Sequence, residues 1–488
     1  MDAGRRIPRL AAEKELPLND KIRIDRNKCC YCGGCAGVCP EQALFLLETE
    51  LTVDQDKCTM CRACLIFCPV EAISPAADAV PRRPPEAPCL QTDVVIVGAG
   101  PAGSVCAKVL AQSGIDVLVV EKKQEIGVPK RCAEAVEPGT FEAVGIDPDP
   151  LWLRNRIQAA VLYAPNETWV RFGTPTPAES GWIIERKIFD KHLAKDAIQA
   201  GARYRLKTTA LGVIRENDRV RGIVVEHMGL RQKIAAKIVI AADGVDSMMA
   251  KSAGLDTVNR LKNYMSCFQY EMAGLRGIDD KAIHLYYGND IAPGGYVWIF
   301  PKGSTMANVG VGIKTSKEGD RTAKKFLDRF IERHPLIFQE ASAVEFNSGG
   351  VPVRQTVEAL AGDGLMIVGD AAQLVNPITG GGIKLAMISG KMAAEVAVES
   401  IKKGDVSRRQ LSAYQRQWDA EHGKRLKKMV KLQRFTERLT NEDFNKLAAI
   451  LTSRNLEELA QGKFYGFVKR LLKELPSLAP LALKYLSS

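Results

Sequence analysis

The chain has 488 residues, enough for about three domains, and its 46% apolar and 26% charged residues are an ordinary globular balance. It contains no run of eighteen apolar residues, which excludes a helix built to cross a bilayer. The net charge is +11, yet residues 401–488 alone hold nineteen Lys and Arg against nine Asp and Glu, so the rest is near neutral. A basic patch confined to one end implies a local acidic partner and argues against a nucleic-acid-binding fold.

In chain order, residues 1–20 read as a tail. They lack the apolar core of an export signal, so Arg5–Arg6 is not read as a twin-arginine signal and the expectation is a cytoplasmic protein. In a reducing compartment, clustered thiols point to metal rather than to disulfides. Nine of the thirteen cysteines lie between Cys29 and Cys68. Cys29, Cys32, Cys35 and Cys39 return as Cys58, Cys61, Cys64 and Cys68, each displaced by 29 residues, and the flanks "IRIDRNKC" and "LTVDQDKC" repeat with them. Each half, within residues 21–75, predicts a short strand, a ligand loop and a one-turn helix after the proline. This is the C-x2-C-x2-C-x3-C-P run of the bacterial two-cluster ferredoxins, in which the fourth cysteine ligates the other cluster. On that rule Cys29, Cys32, Cys35 and Cys68 hold one [4Fe–4S] cluster, and Cys58, Cys61, Cys64 and Cys39 the second. Cys30 has no counterpart, since Thr59 stands there. Structural zinc is the competing reading, but zinc ribbons use two Cys pairs.

Residues 76–92 are rich in Pro and Ala without periodicity and read as an extended linker. A domain over 93–395 follows. Asp93–Val97 is an apolar strand, Gly98, Gly100 and Gly103 form G-x-G-x-x-G with Ala102 between them, Pro101–Ser113 is a helix, and Ile115–Val120 is a strand ending at Glu121. Glycines admit a pyrophosphate to the backbone and the helix N-terminus, and the acid accepts from ribose hydroxyls.

Two later segments choose the dinucleotide. "KIVIAADGVD" carries Asp243–Gly244, and "GLMIVGDAAQLVNPITGGGIKLA" carries Gly369–Asp370 before a glycine turn that opens a helix. In order and spacing these resemble the DG and GD motifs of the FAD-dependent aromatic hydroxylase superfamily. The resemblance implies FAD, with Asp370 on the ribitol and the amides of Gly381, Gly382 and Ile383 at the pyrimidine edge of the flavin, where the helix dipole stabilises negative charge.

Three further matches resemble the geranylgeranyl reductase family: "YVWIFP" with Tyr296, Trp298 and Phe300; "CAEA" with Cys132, Ala133 and Glu134, where Ala135 replaces the usual glycine; and "RKIFD" beginning at Arg186, with Ala210 on a later strand. Alternation puts the three aromatics on one strand face, suited to a polyisoprenoid. The resemblance implies that Arg186, Ala210, Ala133 and Ala135 line the FAD, that Cys132 touches flavin or substrate and is, beside a bound water, a candidate proton donor, and that C=C bonds of a prenyl lipid or isoprenoid diphosphate are saturated.

The fold expected is an α+β ferredoxin-like domain with two cubane clusters, then an α/β, Rossmann-type FAD-binding domain with an antiparallel substrate sheet inserted at about 258–350, and a basic helical region over 396–488. Clusters pass single electrons and flavins deliver pairs, so a low-potential donor such as reduced ferredoxin is the expected source. Phe464, Phe467, Val468, Leu471, Leu472 and Leu475 follow helical spacing beside Lys463, Lys469, Arg470 and Lys473, a pattern suited either to an anionic membrane surface or to docking on the flavin domain. The competing functions are a quinone or menaquinone oxidoreductase, an aromatic monooxygenase and a non-enzymatic electron relay.

Overall fold

A computed structural model describes residues 20–47, 50–76, 86–173, 180–314, 322–353, 357–460 and 463–486. Most of the N-terminal tail and residues 77–85 of the linker lie outside these. The chain divides into two compact units, Met1–Pro88 with Glu226–Gln232, and Cys89–Val225 with Lys233–Ser488.

In the smaller unit two halves repeat one backbone course. Strand Ile22–Ile24 pairs antiparallel with Ile73–Pro75, and Leu44–Leu47 with Glu50–Val53. Asp25 N donates to Ala72 O and Asp54 N to Ala43 O, so each half completes the other. Left-handed residues recur at the 29-residue interval: Tyr31 and Met60, Gly33 and Arg62, Gln42 and Glu71. The one-turn helices, Gly34–Gly37 and Ala63–Phe67, differ from expectation. They precede the Cys-Pro pair, because the third cysteine of each run must turn inward before Pro40 or Pro69 leads into the returning strand. At Gly34 the Phe67 ring occupies the place of a side chain: a Cβ there would stand 1.9 Å from it, so the ring would have to move.

The larger unit is built on a sheet ordered Arg203–Arg205, Val117–Val120, Glu86–Val97, Leu230–Ala241, Arg219–His227, Thr208–Glu216, with Leu365–Ile367 parallel to Leu230–Ala241. Val94–Val97 and Val117–Val120 are buried on both faces, the run expected of a parallel strand covered by helices. Helix Pro101–Gln112 packs against Ile383–Lys403; a Cβ at Gly390 would stand 2.2 Å from Ala102 O, so the glycine lets the helices touch. Glu86–Val97 is one strand, so the last residues assigned to the linker belong to the sheet.

A second sheet runs Trp169–Phe172, Ala159–Tyr163, Ala282–Tyr286, Tyr296–Pro301, Met306–Lys314, Tyr264–Ala273, Ser342–Pro352. It is therefore not a contiguous insertion over 258–350, because two strands come from 159–172. The boundary at 396 also moves. It cuts helix Ile383–Lys403, and Leu411, Tyr414 and Trp418 belong to the core of the first sheet.

Beyond that, Phe464, Phe467 and Leu471 are buried with Met429, Leu432 and Phe435, against Leu162, Val170 and Phe172 of the second sheet. Of the two placements open to the apolar stripe, most of it takes docking and packs inward, because burying it on a sheet already apolar there removes both surfaces from water. Among the described residues no helix is long and apolar enough to cross a membrane.

Candidate active site

The dinucleotide cradle is shaped by missing side chains. Gly98 has φ +106°, and a Cβ there would stand 2.3 Å from Ala242 O; one at Gly103 would stand 2.0 Å from Gly98 O. Gly100 caps helix Pro101–Gln112, and Ala102 lies in its buried first turn. Glu121 ends the second strand, accepting from Ala99 N at 2.9 Å and Lys123 N at 3.0 Å. Thr208 N donates to Glu121 O, which brings Ala210, two residues on, to the same end of the sheet.

Two carboxylates are left wanting donors. Asp243 Oδ1 is buried without a hydrogen bond, and burial raises its carboxyl above the ordinary range. Burial likewise raises Asp370, countered by Arg186, and none of the described residues hydrogen-bonds its carboxylate. Gly382 caps helix Ile383–Lys403, whose first-turn amides have no intrahelical acceptors. A ligand with hydroxyls for the two acids and an electron-rich edge for these amides meets every one of these needs, so the residues fit FAD.

Against this cradle lies one face of the second sheet, organised as three cross-strand rows. Tyr296 pairs with Gly312, and Gly312 with Cys267; Trp298 with Gly310, and Gly310 with Gln269; Phe300 with Asn308, and Asn308 with Glu271. A Cβ on Gly310 would stand 2.3 Å from Trp298 Cζ2, so glycine here makes room for the indole. Trp298 and Phe300, each 7% exposed, pack with Ile157, Ile183, Cys267 and the alanines 133 and 135. The Tyr296 hydroxyl donates to Thr379 O, in the turn before Gly381. The three aromatics therefore do share a face, and it touches the loop that carries Cys132.

Every turn of that loop is tied. Gln269 Nε2 donates to Cys132 O (3.1 Å), Asn308 Nδ2 to Ala133 O (3.0 Å), Ile184 N to Glu134 O (2.9 Å), and Glu134 N to Cys132 Sγ (3.2 Å). Arg186, in the first turn of helix Arg186–Gln199, gives two hydrogen bonds to Asp190 and lies against Cys132. The left-handed residue of the motif is Glu134, φ +71°, rather than the next one. Ala135 is ordinary strand paired with Ile183, so its methyl in place of glycine costs no strain.

Sequence reasoning missed what lies beneath. Lys130 and Lys302, both buried, meet Glu134 at 3.0 and 2.7 Å, and Lys302 also meets Glu185 at 3.0 Å and Glu271 at 2.9 Å. Lys130 pairs with Glu271 as well. One signal was available: Lys302 continues the alternation 296, 298, 300 and so falls on the aromatic face.

In the smaller unit Cys39, Cys58, Cys61 and Cys64 line one pocket. Burial, then the charge of Cys58 and Cys39, pushes the Cys64 thiol up; burial, then Cys29 and Cys32, does so at Cys35. Cys39 thus stands with the other half's sulfurs, as the crossed ligand rule requires. Among the described residues no three cysteine sulfurs lie within 4.8 Å of one another. Cys30 Sγ points to Lys28 O.

Comparison with known proteins accords with this geometry. Residues 263–351 match the geranylgeranyl reductase catalytic domain, 96–145 an NAD(P)-binding Rossmann-like domain and 51–74 a 4Fe-4S binding domain. Digeranylgeranylglycerophospholipid reductase 2 of Methanopyrus kandleri is 41% identical over 399 residues, covering 81% of this chain and 98% of its own length. The chain belongs to the digeranylgeranylglycerophospholipid reductase family. The Methanocaldococcus jannaschii reductase is 42% identical over 388 residues, covering 79% and 96% of the two chains. The crystal structure of a geranylgeranyl bacteriochlorophyll reductase-like protein from Thermoplasma acidophilum superposes with TM-score 0.74 and 34% identity over 80% of this reductase and 100% of that chain. The flavin-dependent brominase Bmp2, 20% identical with TM-score 0.62, shares the fold. The chain is accordingly a flavin-dependent oxidoreductase carrying a 4Fe-4S motif.

Proposed function

We infer that the chain saturates C=C bonds in the geranylgeranyl chains of lipids, drawing electrons through two [4Fe–4S] clusters from a low-potential donor such as reduced ferredoxin. The observation that carries this reading is the aromatic face of Tyr296, Trp298 and Phe300 packed against the Cys132 loop, in a chain of this reductase family. When bound, FAD supplies a hydride equivalent to one alkene carbon and the clusters supply the single electrons that restore it. The residues of the chain do the rest. Gly98, Gly100, Ala102 and Gly103 admit the pyrophosphate, Glu121 accepts from the ribose, Ala210 and Arg186 border the cofactor, and Asp370 accepts from the ribityl chain. The amides of Gly382 and Ile383 would stabilise negative charge at the ring edge, while that of Gly381, also expected there, donates to Thr379 Oγ1 at 3.2 Å. The aromatics hold the prenyl chain and exclude water. Cys132, between Ala133 and Arg186, carries at Sγ the proton that the second alkene carbon takes up.

Eight cysteines in two crossed sets, Cys29, Cys32, Cys35 and Cys68, and Cys58, Cys61, Cys64 and Cys39, hold the clusters. The outward face of helix Tyr465–Glu474, with Tyr465, Lys469, Leu472 and Lys473 exposed, suits an anionic membrane that carries the substrate. Anaerobic reduction by dithionite followed by mass spectrometry tests the function: prenyl lipids gain two mass units per saturated bond. A reduced enzyme that turns over a quinone analogue and leaves the lipid unchanged would refute it.

A further inference from the structure

The charged end of the aromatic face calls for an explanation that binding a prenyl chain does not supply. Five ionisable side chains, Lys130, Lys302, Glu134, Glu185 and Glu271, converge there from four separate segments, and Glu134 has no exposed side-chain surface. Burying so many charges costs several kcal/mol per ion before pairing offsets it, and an apolar cluster of equal volume is often as stable. Stability alone is therefore a weak reason for the arrangement.

A proton relay is the first alternative, and the electrostatics speak against it. Burial disfavours the Lys130 ammonium, but Glu134 and Glu271 outweigh it and hold the side chain protonated well above its ordinary range. Burial likewise opposes charge on Glu134 and Glu271, and the two lysines outweigh it, leaving both carboxyls below the ordinary range. Groups pinned in their charged forms do not exchange protons at neutral pH. Lys130, Glu134 and Glu271 thus supply the fixed charges of an ionic lattice that Lys302 and Glu185 complete by contact.

Its connections say what the lattice holds. Glu134 Oε2 takes Lys130, Lys302 and Asn308 Nδ2 (2.8 Å), while Oε1 accepts from Arg186 N at 2.8 Å. Glu134 N meets Cys132 Sγ, and Asn308 and Gln269 fasten the carbonyls of residues 133 and 132. Gln269 Oε1 at the same time accepts from Trp298 Nε1 at 2.9 Å. One buried residue thus links the Cys132 thiol, the start of the Arg186 helix and, through its neighbours, the indole of the aromatic face. It does so from a left-handed conformation that a side chain other than glycine adopts only when its surroundings over-determine it.

We propose that Glu134, clamped by Lys130 and Lys302 and assisted by Gln269 and Asn308, is a positioning residue that holds the Cys132 thiol in register with Trp298 and Arg186. The proposal rests on the reductase reading for its purpose but not for its test. In anaerobically prepared holoenzyme, the alkylation rate of Cys132 by iodoacetamide is followed by peptide mass spectrometry for wild type, Glu134→Gln and Gln269→Met.

Glu134→Gln keeps the volume and removes the charge that holds the lysines, while Gln269→Met leaves that charge in place and removes the amide donor to Cys132 O together with the acceptor for Trp298 Nε1. Both are expected to change the alkylation rate by about tenfold or more, and to lower kcat per bound flavin on a geranylgeranyl lipid by about 10- to 100-fold with KM within about threefold, the scale of an ångström of misplacement. A lowered melting temperature with alkylation and kcat per flavin unchanged would reduce Glu134 to a structural residue and overturn the proposal. If Glu134→Gln does not fold, unchanged alkylation and kcat in Gln269→Met do the same. If wild type reduces no prenyl lipid, the reductase reading fails and the alkylation rates still decide the clamp.

Discussion

The two units bury different material. In the larger, the first sheet's core is aliphatic, Val94–Val97 and Val117–Val120 among Ile238, Ile240 and Leu365, and it closes on itself without help. Among the described residues of the smaller, the buried cluster consists of ten, and four of them, Cys29, Cys35, Cys58 and Cys64, are proposed ligands. A unit of this size is marginal in the apolar surface it buries against its conformational entropy, so in the reading proposed above sulfur–iron bonds would stand where side-chain packing falls short. The lesson is that one chain uses two kinds of cohesion, and each has its own way of failing.

Chelation breaks the comparison open, and it has the largest expected effect. Stripping iron from the reduced full-length chain should abolish amide-exchange protection across residues 20–75 while the sheet Val94–Val97, Val117–Val120 keeps its own. Ligand binding of this kind is folding free energy for a small metallo-domain. Protection that survives chelation in the smaller unit would show that its six other buried residues suffice.

How much of this could be read from the sequence follows the same division. The repeated cysteines and the G-x-G-x-x-G segment were legible because their chemistry is local: ligands and turn glycines lie within a few residues of one another. The aromatic face was legible because strand alternation is a period of two. The ionic lattice was not, since Lys130, Glu134, Glu185, Glu271 and Lys302 meet only after three strands align in register. The substrate sheet was read as one insertion for a related reason: Ala159–Tyr163 joins it by a parallel pairing with Ala282–Tyr286, more than a hundred residues away. The amphipathic stripe of helix Tyr465–Glu474 was legible except at Leu472, which lies 46% exposed on the outward face, but its period cannot say whether the apolar side meets lipid or the protein's own sheet.

Lys302→Met sharpens the comparison inside the larger unit. It leaves Glu134, Glu185 and Glu271 around one fewer cation, and breaking a buried pair from one side costs about 3–5 kcal/mol. The pH dependence has a defined sign. Glu134 and Glu271 lie below the ordinary 4.5, so their stabilisation is complete above that value and is lost as pH falls through the depressed values. Lys130 lies above the ordinary 10.5, so its contribution is complete below that value and is lost only as pH rises through the raised one. Wild-type stability should therefore owe Glu134, Glu271 and Lys130 no slope from about pH 5 to pH 10. Denaturant titrations at several pH values check it: an acid-side loss beginning near neutrality would mean that the carboxylates are not held as described.

The smallest effect is expected at the C-terminal helices, where the two faces of helix Tyr465–Glu474 are set against each other. Phe467, 3% exposed, packs on Phe435, whereas Tyr465 is 83% exposed. Tyr465→Ser with Leu472→Ser should shift unfolding by no more than about 0.5 kcal/mol, as surface changes usually do. Stability is then unaltered, and any change in sedimentation with anionic vesicles reports the surface itself. If this face meets the bilayer, the double variant sediments less than wild type in low salt, and the difference shrinks as salt screens Lys469 and Lys473. Equal sedimentation by the two proteins would leave the basic surplus of residues 401–488 as a solvated face of the fold, with the lipid reaching the aromatic pocket by another surface.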